Sequence, residues 1–464
     1  MRSLVRCAVA AAAVLPATGG GRAAAAPRAD HVVLVSIDGL RPEFYLDSGW
    51  PAPMLQQMAR EGVHAEAVQS VFPSLTYPAH TTMVTGALPA RHGVHYNRPF
   101  EPGGASGRWF WSERAVQVPT LWDAVRAAGG TTAAFNWPAT VDAPIDWLVP
   151  EAWSIEPGVD DLAVLRAASR PPQLWRELER EATGRLTERT FSLRSCNARD
   201  IHIGDMAAYV FERHRPRLLA VHLLAADYEQ HATGRDSPQV RRAVASVDRA
   251  LASVVEAVAR AGLLPRTAFV VAGDHGFVEL HTAVAPNVWL VGAGLRSADR
   301  DRGAGWRASF HAGGGASFLH LADPADRDAE ARVRERLAAL PEPVRKRFRV
   351  VDREQLREYG AAPEAALALS GALGVHFVDD AAGEPVRRAT MAGAHGYLAD
   401  AFPAIDTGFV GWGAGFRPGV AAQRLQLVDL APLVAALLGV AFDAPDGLLA
   451  PGLLARAEDS GPSE

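Results

Sequence analysis

The chain has 464 residues, of which 48% are hydrophobic and 21% charged, and its formal net charge is −5. This composition is ordinary for a globular protein, and the length is sufficient for a large core. The acidic balance and the absence of a basic block in the sequence exclude a protein that coats nucleic acid. No stretch after residue 26 is long and apolar enough to predict a membrane span.

Residues 1–26 are typical of a cleavable secretory signal peptide. Two arginines precede the apolar stretch Cys7–Leu15, which is too short to cross a bilayer, and Ala23–Ala26 offers small residues for cleavage. We therefore expect a periplasmic or secreted protein. After cleavage Cys196 is the one remaining cysteine of the sequence, so the mature chain cannot form an intramolecular disulfide.

Three short apolar runs predict buried parallel strands of one sheet. They are His31–Asp38, Leu218–Asp227 and Thr267–Asp274, and each ends at an acidic residue. Between the first two runs the pattern predicts helices at 53–61, 79–84 and 120–128, a loop at 73–78, a strand at 131–135 and a charged, helix-prone stretch at 150–200. An amphipathic helix at 240–261 joins the second run to the third, which predicts a βαβ unit.

The pattern is mixed from 280 to 390, and this stretch is the best candidate for an accessory insertion. It contains a predicted helix at 323–340, where Asp323 would be the N-cap and Pro324 the first helical residue. A strand at 407–413, a helix at 427–438 and a polar tail at 456–464 complete the chain. We expect a catalytic α/β domain over residues 27–455.

Acidic residues and histidines follow the three predicted strands at metal-ligand spacing: Asp38, Asp227 with His231, and Asp274 with His275. In open α/β sheets, ligands bind outside the carboxyl ends of the strands. Carboxylate and imidazole side chains suit zinc. Each residue alone has a simpler explanation, such as a helix N-cap for an Asp or a solvated helix position for His231. Together they predict a metal site.

The segment Val71–Gly86 contains a candidate nucleophile. Thr76 precedes a predicted helix whose N-terminal N–H groups favour an anion. A hydroxyl at this place could bind a metal, lose its proton and attack phosphorus. Spacing alone does not distinguish Thr76 from Ser74, Thr81 or Thr82, and Thr76 could equally be a cap.

Several motifs occur in an order that resembles the nucleotide pyrophosphatase/phosphodiesterase family, or type I phosphodiesterases, of the alkaline phosphatase superfamily. They are Asp38-Gly-Leu-Arg-Pro42, Phe72-Pro-x-x-Thr76-x-Pro-x-His80, Thr85-Gly86, His92-Gly93, Asp227-x-x-x-His231, Gly273-Asp-His-Gly276 and Gly393-x-His395-Gly-Tyr397. The resemblance spans residues 31 to about 447. It implies an alkaline-phosphatase-like α/β fold, in which helices flank a mostly parallel central sheet and further segments are inserted.

The resemblance also implies two zinc ions and a threonine nucleophile. Carried over by position, Asp227, His231 and His395 would hold one zinc, and Asp38, Thr76, Asp274 and His275 the other. Asn97 matches an asparagine that binds a phosphate oxygen in the family, although a turn-forming role is the simpler alternative. His80, His92 and His95 are expected to be structural, and His311 and His320 receive no predicted role.

The expected activity is hydrolysis of phosphodiester or pyrophosphate bonds in small molecules through a phospho-threonine at Thr76. A neutral Asn97 suits the single charge of a diester, whereas a monoester dianion calls for added cations, which Arg98 or Arg41 could supply. A phosphomonoesterase of the same superfamily, or a catalytically inactive, metal-stabilised binding protein, are the alternatives. Nucleotides, lipid-headgroup diesters and phosphonates all stay open as substrates, and the sequence says nothing about oligomeric state.

Overall fold

A computed structural model of the chain describes residues 27–102, 106–298 and 305–455. The predicted signal peptide and polar tail lie outside these residues. The helices are α1 Glu43–Leu46, α2 Pro53–Glu61, α3 Thr76–Thr85, α4 Pro89–His92, α5 Leu121–Ala127, α6 Asp161–Ala168, α7 Leu174–Leu178, α8 Glu188–Phe191, α9 Cys196–His214, α10 Ala225–Thr233, α11 Pro238–Arg260, α12 Pro286–Gly292, α13 Arg327–Ala338, α14 Glu342–Arg345, α15 Arg353–Glu358 and α16 Leu430–Leu438.

The strands are β1 His31–Ile37, β2 Val63–Ala65, β3 Val68–Gln69, β4 Thr132–Phe135, β5 Trp147–Val149, β6 Leu218–Leu223, β7 Thr267–Ala272, β8 Val278–Glu279, β9 Thr282–Val284, β10 Ala308–Gly313, β11 Ala316–Leu321, β12 Phe348–Val351, β13 Leu367–Gly371, β14 Val375–Phe377, β15 Val386–Arg388, β16 Gly393–Ala394, β17 Phe409–Gly413, β18 Val420–Ala422 and β19 Leu425–Gln426. Eight of them form the central sheet, in the order β18-β2-β17-β7-β1-β6-β4-β5. β17 runs antiparallel to both of its neighbours, and the other pairs are parallel. The mostly parallel α/β sheet is as predicted.

Helices cover both faces of this sheet, which is why its central strands are mostly apolar and buried on both sides. In β1, Val33 and Val35 pack in one cluster with residues of α2, α9 and α11, whereas Val32 and Leu34 pack in another with α3, α5 and α16. Alternate strand residues point to opposite faces, so one strand serves two cores. The predicted βαβ unit forms through α11, whose apolar stripe from Val240 to Val258 is buried.

Residues 282–388 build sheets that are separate from the central one. β10, β11, β13 and β12 form an antiparallel four-stranded sheet, and β14, β9 and β15 form a three-stranded sheet. Their apolar residues, among them Phe310, Leu319 and Leu367, pack in a cluster of their own with α12 and α13. We refer to residues 282–388 as the accessory region.

Two predicted helix starts were wrong. The segment 73–78 is not a loop throughout, because α3 begins at Thr76 and includes Pro78 in its first turn. A first-turn proline costs little, since the N–H it lacks would have no partner within the helix. α13 begins at Arg327 with Asp326 as its N-cap, and Asp323 accepts from the N–H of Ala325 in the preceding turn instead.

Candidate metal centre

Three neighbouring strands of the central sheet end at the same level and bring the predicted ligands together. β1 lies between β7 and β6, and its Ser36 pairs with Ala272, the last residue of β7. Asp38 directly follows β1, and Asp274 and His275 follow β7 after one glycine. The carboxyl edge of the sheet therefore carries these three side chains side by side.

One group of candidate ligands comes from α10 and from the loop after β16. The strand β6 stops at Leu223, and the chain turns into α10, where Asp227 and His231 lie one helical turn apart on the same face. The Nε2 atoms of His231 and His395 lie 3.4 Å and 3.7 Å from Asp227 Oδ1 and 3.2 Å from each other. These three side chains converge as ligands of one ion would.

The second group surrounds His275. Its Nε2 atom lies 3.3 Å from Asp38 Oδ1 and 3.0 Å from Asp274 Oδ2. The other oxygen of Asp274 accepts from the backbone N–H of Gly39 at 3.0 Å, which fixes the carboxylate. Ligand atoms of Asp38 and His275 also lie within 4.8 Å of one from Asp227. Asp227 therefore lies between the two groups.

The donor atoms and charges of both groups fit a bound cation. Asp38 Oδ1, Asp227 Oδ1, Asp274 Oδ2 and His275 Nε2 are buried and have no hydrogen-bond partner in the described part of the chain. Burial, followed by the charges of Asp227 and Asp274, raises the pKa of Asp38 well above its usual value. A divalent cation among these carboxylates would offset their desolvation and mutual repulsion. Carboxylate oxygens with imidazole nitrogens form a zinc-type donor set.

Two of the histidines are oriented for binding by backbone carbonyls. The Nδ1 atom of His231 lies 2.8 Å from the carbonyl oxygen of Gly393, and that of His395 lies 2.8 Å from the carbonyl oxygen of Ser74. A carbonyl oxygen only accepts, so Nδ1 carries the proton and Nε2 presents its lone pair to the centre. Burial, followed by His275 and His231, lowers the pKa of His395 to about 3, which keeps this imidazole neutral.

Among the four candidate hydroxyls, the structure separates Thr76 from the others. Ser74 donates to the carbonyl oxygen of Tyr397, Thr81 donates to that of Tyr77, and Thr82 bonds to His92. The Thr76 hydroxyl makes no hydrogen bond within the described residues, and it lies at the first position of α3. It is the one of the four hydroxyls that makes no hydrogen bond in the described part of the chain.

Contacts on both sides of Thr76 tie it to the two groups of ligands. The carbonyl oxygen of Ser74 bonds to His395, and Nδ1 of His80 lies 3.7 Å from Asp274 Oδ2 while bonding to the Thr76 carbonyl oxygen. The start of α3 is thereby held at the edge where the predicted ligands meet.

Asn97 lies beside the start of α3. Its Oδ1 atom accepts from the backbone N–H of Tyr77 at 2.9 Å. Because the oxygen of the amide is engaged, its Nδ2 group is the part that can donate to a ligand. Asn97 also lines a cavity of about 440 Å³, together with His231 and His395.

Comparison with known proteins identifies the family of this chain. Residues 32–398 match the model of the type I phosphodiesterase / nucleotide pyrophosphatase family. The chain belongs to this family. An uncharacterized pyrophosphatase/phosphodiesterase of Schizosaccharomyces pombe is 26% identical over 269 residues, which are 56% of this chain and 47% of that protein. Human ectonucleotide pyrophosphatase/phosphodiesterase family member 5 is 32% identical over 124 residues, 25% of either chain. The chain thus spans half or less of the length of these relatives.

Solved structures of the family share the fold. Human ectonucleotide pyrophosphatase/phosphodiesterase 5 superposes with a TM-score of 0.64 at 20% identity, covering 89% of this chain and 96% of that one. An inactive threonine-to-alanine variant of the murine protein, in complex with AMP, gives a TM-score of 0.62 at 18% identity with the same coverage. In the described part of this family member, none of the helices is both long and apolar enough to cross a membrane.

His222 of this phosphodiesterase-family chain belongs to the site, although its sequence context suggested no role. Its ring is buried, with Nε2 3.1 Å from Asp38 Oδ2 and Nδ1 2.9 Å from the carbonyl oxygen of Asn136. Asn136 in turn accepts from the buried Arg199 at 2.6 Å. In the sequence, His222 is a single polar residue within the apolar run of β6. A histidine in such a run is ordinarily packed in the core and has no further role.

The remaining histidines bond to other parts of the fold. His92 and His95 bond to Thr82 and Glu364, as structural residues do. His311 and His320, which had no predicted role, contact the loop that carries Asn97: His311 bonds to the carbonyl oxygen of Arg98, and His320 stacks on Phe100 with ring centroids 3.9 Å apart. The spacing of these residues in the sequence does not predict the contact between this loop and the accessory region.

Proposed function

We propose that this family member is an exported hydrolase with two zinc ions that cleaves phosphodiester or pyrophosphate bonds in small molecules. One observation carries the proposal: two groups of candidate ligands share Asp227 of α10, and His395 and His80 tie the start of α3 to these groups. In this proposal Asp227, His231 and His395 hold one zinc, and Asp38, Thr76, Asp274 and His275 hold the other. When bound, zinc supplies Lewis-acid stabilisation of the negative charge that develops on oxygen.

The proposed nucleophile is Thr76. Its hydroxyl gives up its proton to solvent, an Oγ–phosphorus bond forms, and the bond from phosphorus to the leaving oxygen breaks with the electron pair on that oxygen, which solvent then protonates. Water then cleaves the phospho-threonine and restores the hydroxyl. The free state of this hydroxyl and the N-terminal N–H groups of α3 support this assignment. The inactive threonine-to-alanine variant of the murine structural neighbour is consistent with it.

We assign Asn97 to the phosphate. Its oxygen is held by the N–H of Tyr77, so the amide nitrogen donates to a nonbridging phosphate oxygen in the proposed complex. A neutral donor suits the single negative charge of a diester. Arg41, one of the cations considered for a dianion, is engaged elsewhere: it is buried, donates to Asp236 at 3.0 Å and packs on Phe44.

We further propose that residues 1–26 direct export and are removed, and that residues 280–390 are an accessory insertion in a catalytic domain of residues 27–455. Relatives whose names contain "ectonucleotide" support the export. The separate core of the accessory region supports the insertion.

A comparison of two chromogenic esters tests the activity. We expect hydrolysis of bis(p-nitrophenyl) phosphate to exceed that of p-nitrophenyl phosphate, EDTA to abolish both rates, and added zinc to restore them. A strong preference for the monoester would favour the phosphomonoesterase alternative. A protein that binds zinc yet hydrolyses neither ester, nor any nucleotide diester, would favour the inactive binding protein.

A further inference from the structure

Helix α9 packs on one face of the central sheet, and two adjacent residues near its start carry opposite charges. Several residues of α9, among them Ile203 and Phe211, share a core cluster with β1 and β6. Arg199 and Asp200 are only 4% and 0% exposed. Charged side chains are seldom buried without partners, and the partners of these two residues lie in different segments of the chain.

The carboxylate of Asp200 holds the start of α10. Its Oδ1 atom accepts from the backbone N–H of Leu224 at 3.1 Å, and its Oδ2 atom accepts from that of Ala225 at 2.8 Å. The first N–H groups of a helix have no partner within it, and an N-cap side chain usually supplies one. The N-cap of α10 is Leu224, whose apolar side chain cannot do so. Asp200 therefore fixes the end of α10 that carries Asp227.

Arg199 connects to the other group of ligands through Asn136 and His222. Its Nη2 atom donates to Asn136 Oδ1 at 2.6 Å, and Asn136 Nδ2 donates to the carbonyl oxygen of His222 at 3.3 Å. The ring of His222 lies between the carbonyl oxygen of Asn136, at 2.9 Å, and Asp38 Oδ2, at 3.1 Å. Asn136 has a positive φ of 58°, which a non-glycine residue adopts at some cost. The bond from Arg199 holds Asn136 in this conformation and so holds the carbonyl oxygen that orients His222.

Packing of α9 on the sheet does not by itself explain these two charges. Burial raises the pKa of Asp200 to about 7, although its two N–H partners oppose the shift. Burial lowers the pKa of Arg199, although the charges of Glu151 and Asp200 oppose the shift. Apolar residues of similar size often stabilise a buried contact at least as well as a charged pair does. They could not make the hydrogen bonds that lead from Asp200 and Arg199 to the two groups of ligands.

We propose that α9 positions the two groups of candidate ligands separately. Asp200 is the positioning residue for the first zinc site, because it holds the helix that carries Asp227. Arg199 is the positioning residue for the second zinc site, because it holds the residues that orient Asp38. This inference rests on the proposed function, in which Asp227 and Asp38 bind different zinc ions.

The test measures the affinity of each site for zinc by competition with a zinc-chelating dye at pH 8, above the pKa of Asp200. His275→Gln removes a ligand of the second site, so that the first site is measured alone, and His395→Gln does the reverse. In the His275→Gln background we expect Asp200→Asn to weaken zinc binding by roughly 10- to 100-fold and Arg199→Met to change it by less than about twofold. In the His395→Gln background the two effects should be exchanged.

Asp248→Asn is the matched control for Asp200→Asn. Asp248 of α11 is also buried, and it accepts from the backbone N–H groups of Met54 and Leu55 at 3.1 Å and 2.9 Å. It therefore holds the start of α2, a helix without candidate ligands. This variant should lose folding stability in urea as Asp200→Asn does, yet bind both zinc ions as the wild type does.

Milder variants give the same test if a neutral variant does not fold. Asp200→Glu and Arg199→Lys keep the charges, and each should show a smaller loss of affinity at the same site as the neutral variant. Unchanged affinities, or equal losses at both sites, would overturn the positioning roles and leave the two residues as stabilisers of the packing of α9. A wild-type protein that binds no zinc would instead overturn the proposed function, and this inference with it.

Discussion

The central sheet and the accessory region position functional groups in different ways. At the carboxyl edge of the sheet, β1, β6 and β7 are held in register by backbone hydrogen bonds, and ligand atoms of the side chains that follow them lie 3.0 to 3.4 Å apart. Across the cavity, Arg98 is held by side-chain packing of His311 and His320 against its loop. The backbone pairing of the strands therefore positions the candidate metal centre. Contacts between side chains position the residues on the opposite side of the cavity.

Substitution of Thr76 should have the largest effect at the sheet edge. We expect Thr76→Ala to lower kcat on a diester by roughly 10³-fold or more, because the proposed covalent step loses its nucleophile. Thr76→Ser should retain measurable turnover, since a hydroxyl remains at the start of α3. Steady-state kinetics with zinc-loaded protein measures both.

The neighbouring hydroxyls provide the control for this experiment. Thr81→Ala removes a hydroxyl of the same helix that donates to the carbonyl oxygen of Tyr77. It should leave the diesterase rate close to that of the wild type. An active Thr76→Ala variant, or a Thr76→Ser variant as inactive as Thr76→Ala, would contradict the assignment of the nucleophile.

His222 tests whether the buried layer behind the sheet edge supports the ligands. We expect His222→Phe to weaken zinc binding by roughly 10- to 100-fold, because Asp38 loses the partner 3.1 Å from its Oδ2 atom. Competition with a zinc-chelating dye measures this without turnover. His92→Phe removes another fully buried histidine, one that contacts Thr82 rather than a ligand, and should bind zinc as the wild type does. Equal losses of zinc affinity in both variants would show that His222 contributes packing and does not support Asp38.

The sequence predicted the sheet edge well because local patterns carry that information. Apolar runs mark β1, β6 and β7, so the residues that follow them, such as Asp38 and Asp274, could be placed near one another from spacing alone. His395 could not be placed near them from spacing, because the strand before it, β16, has only two residues. The carbonyl oxygen that orients its ring belongs to Ser74, 321 positions away. His222 was missed for the same reason, as its partner Asp38 is 184 positions distant. Contacts between side chains of remote segments have no local signature.

The dependence of folding stability on pH tests the contacts that the accessory region makes with the loop that carries Asn97. Burial, followed by His311 and His95 and opposed by the charge of Glu364, lowers the pKa of His320 to about 3. The folded state therefore keeps this ring neutral, stacked on Phe100, while the unfolded chain takes up a proton below about pH 6.5. A lowered histidine pKa stabilises the fold above pH 6.5, and this contribution is lost as the pH falls toward 3.

Between pH 6.5 and 5.5 we expect His320 to contribute about 1 kcal/mol to the loss of stability. Urea unfolding of the wild type and His320→Gln across this interval measures the contribution, and unfolding at pH 8 gives the cost of the substitution itself. The variant should lose less stability than the wild type as the pH falls. Parallel pH profiles would show that protonation of His320 does not open the contact between the Asn97 loop and the accessory region.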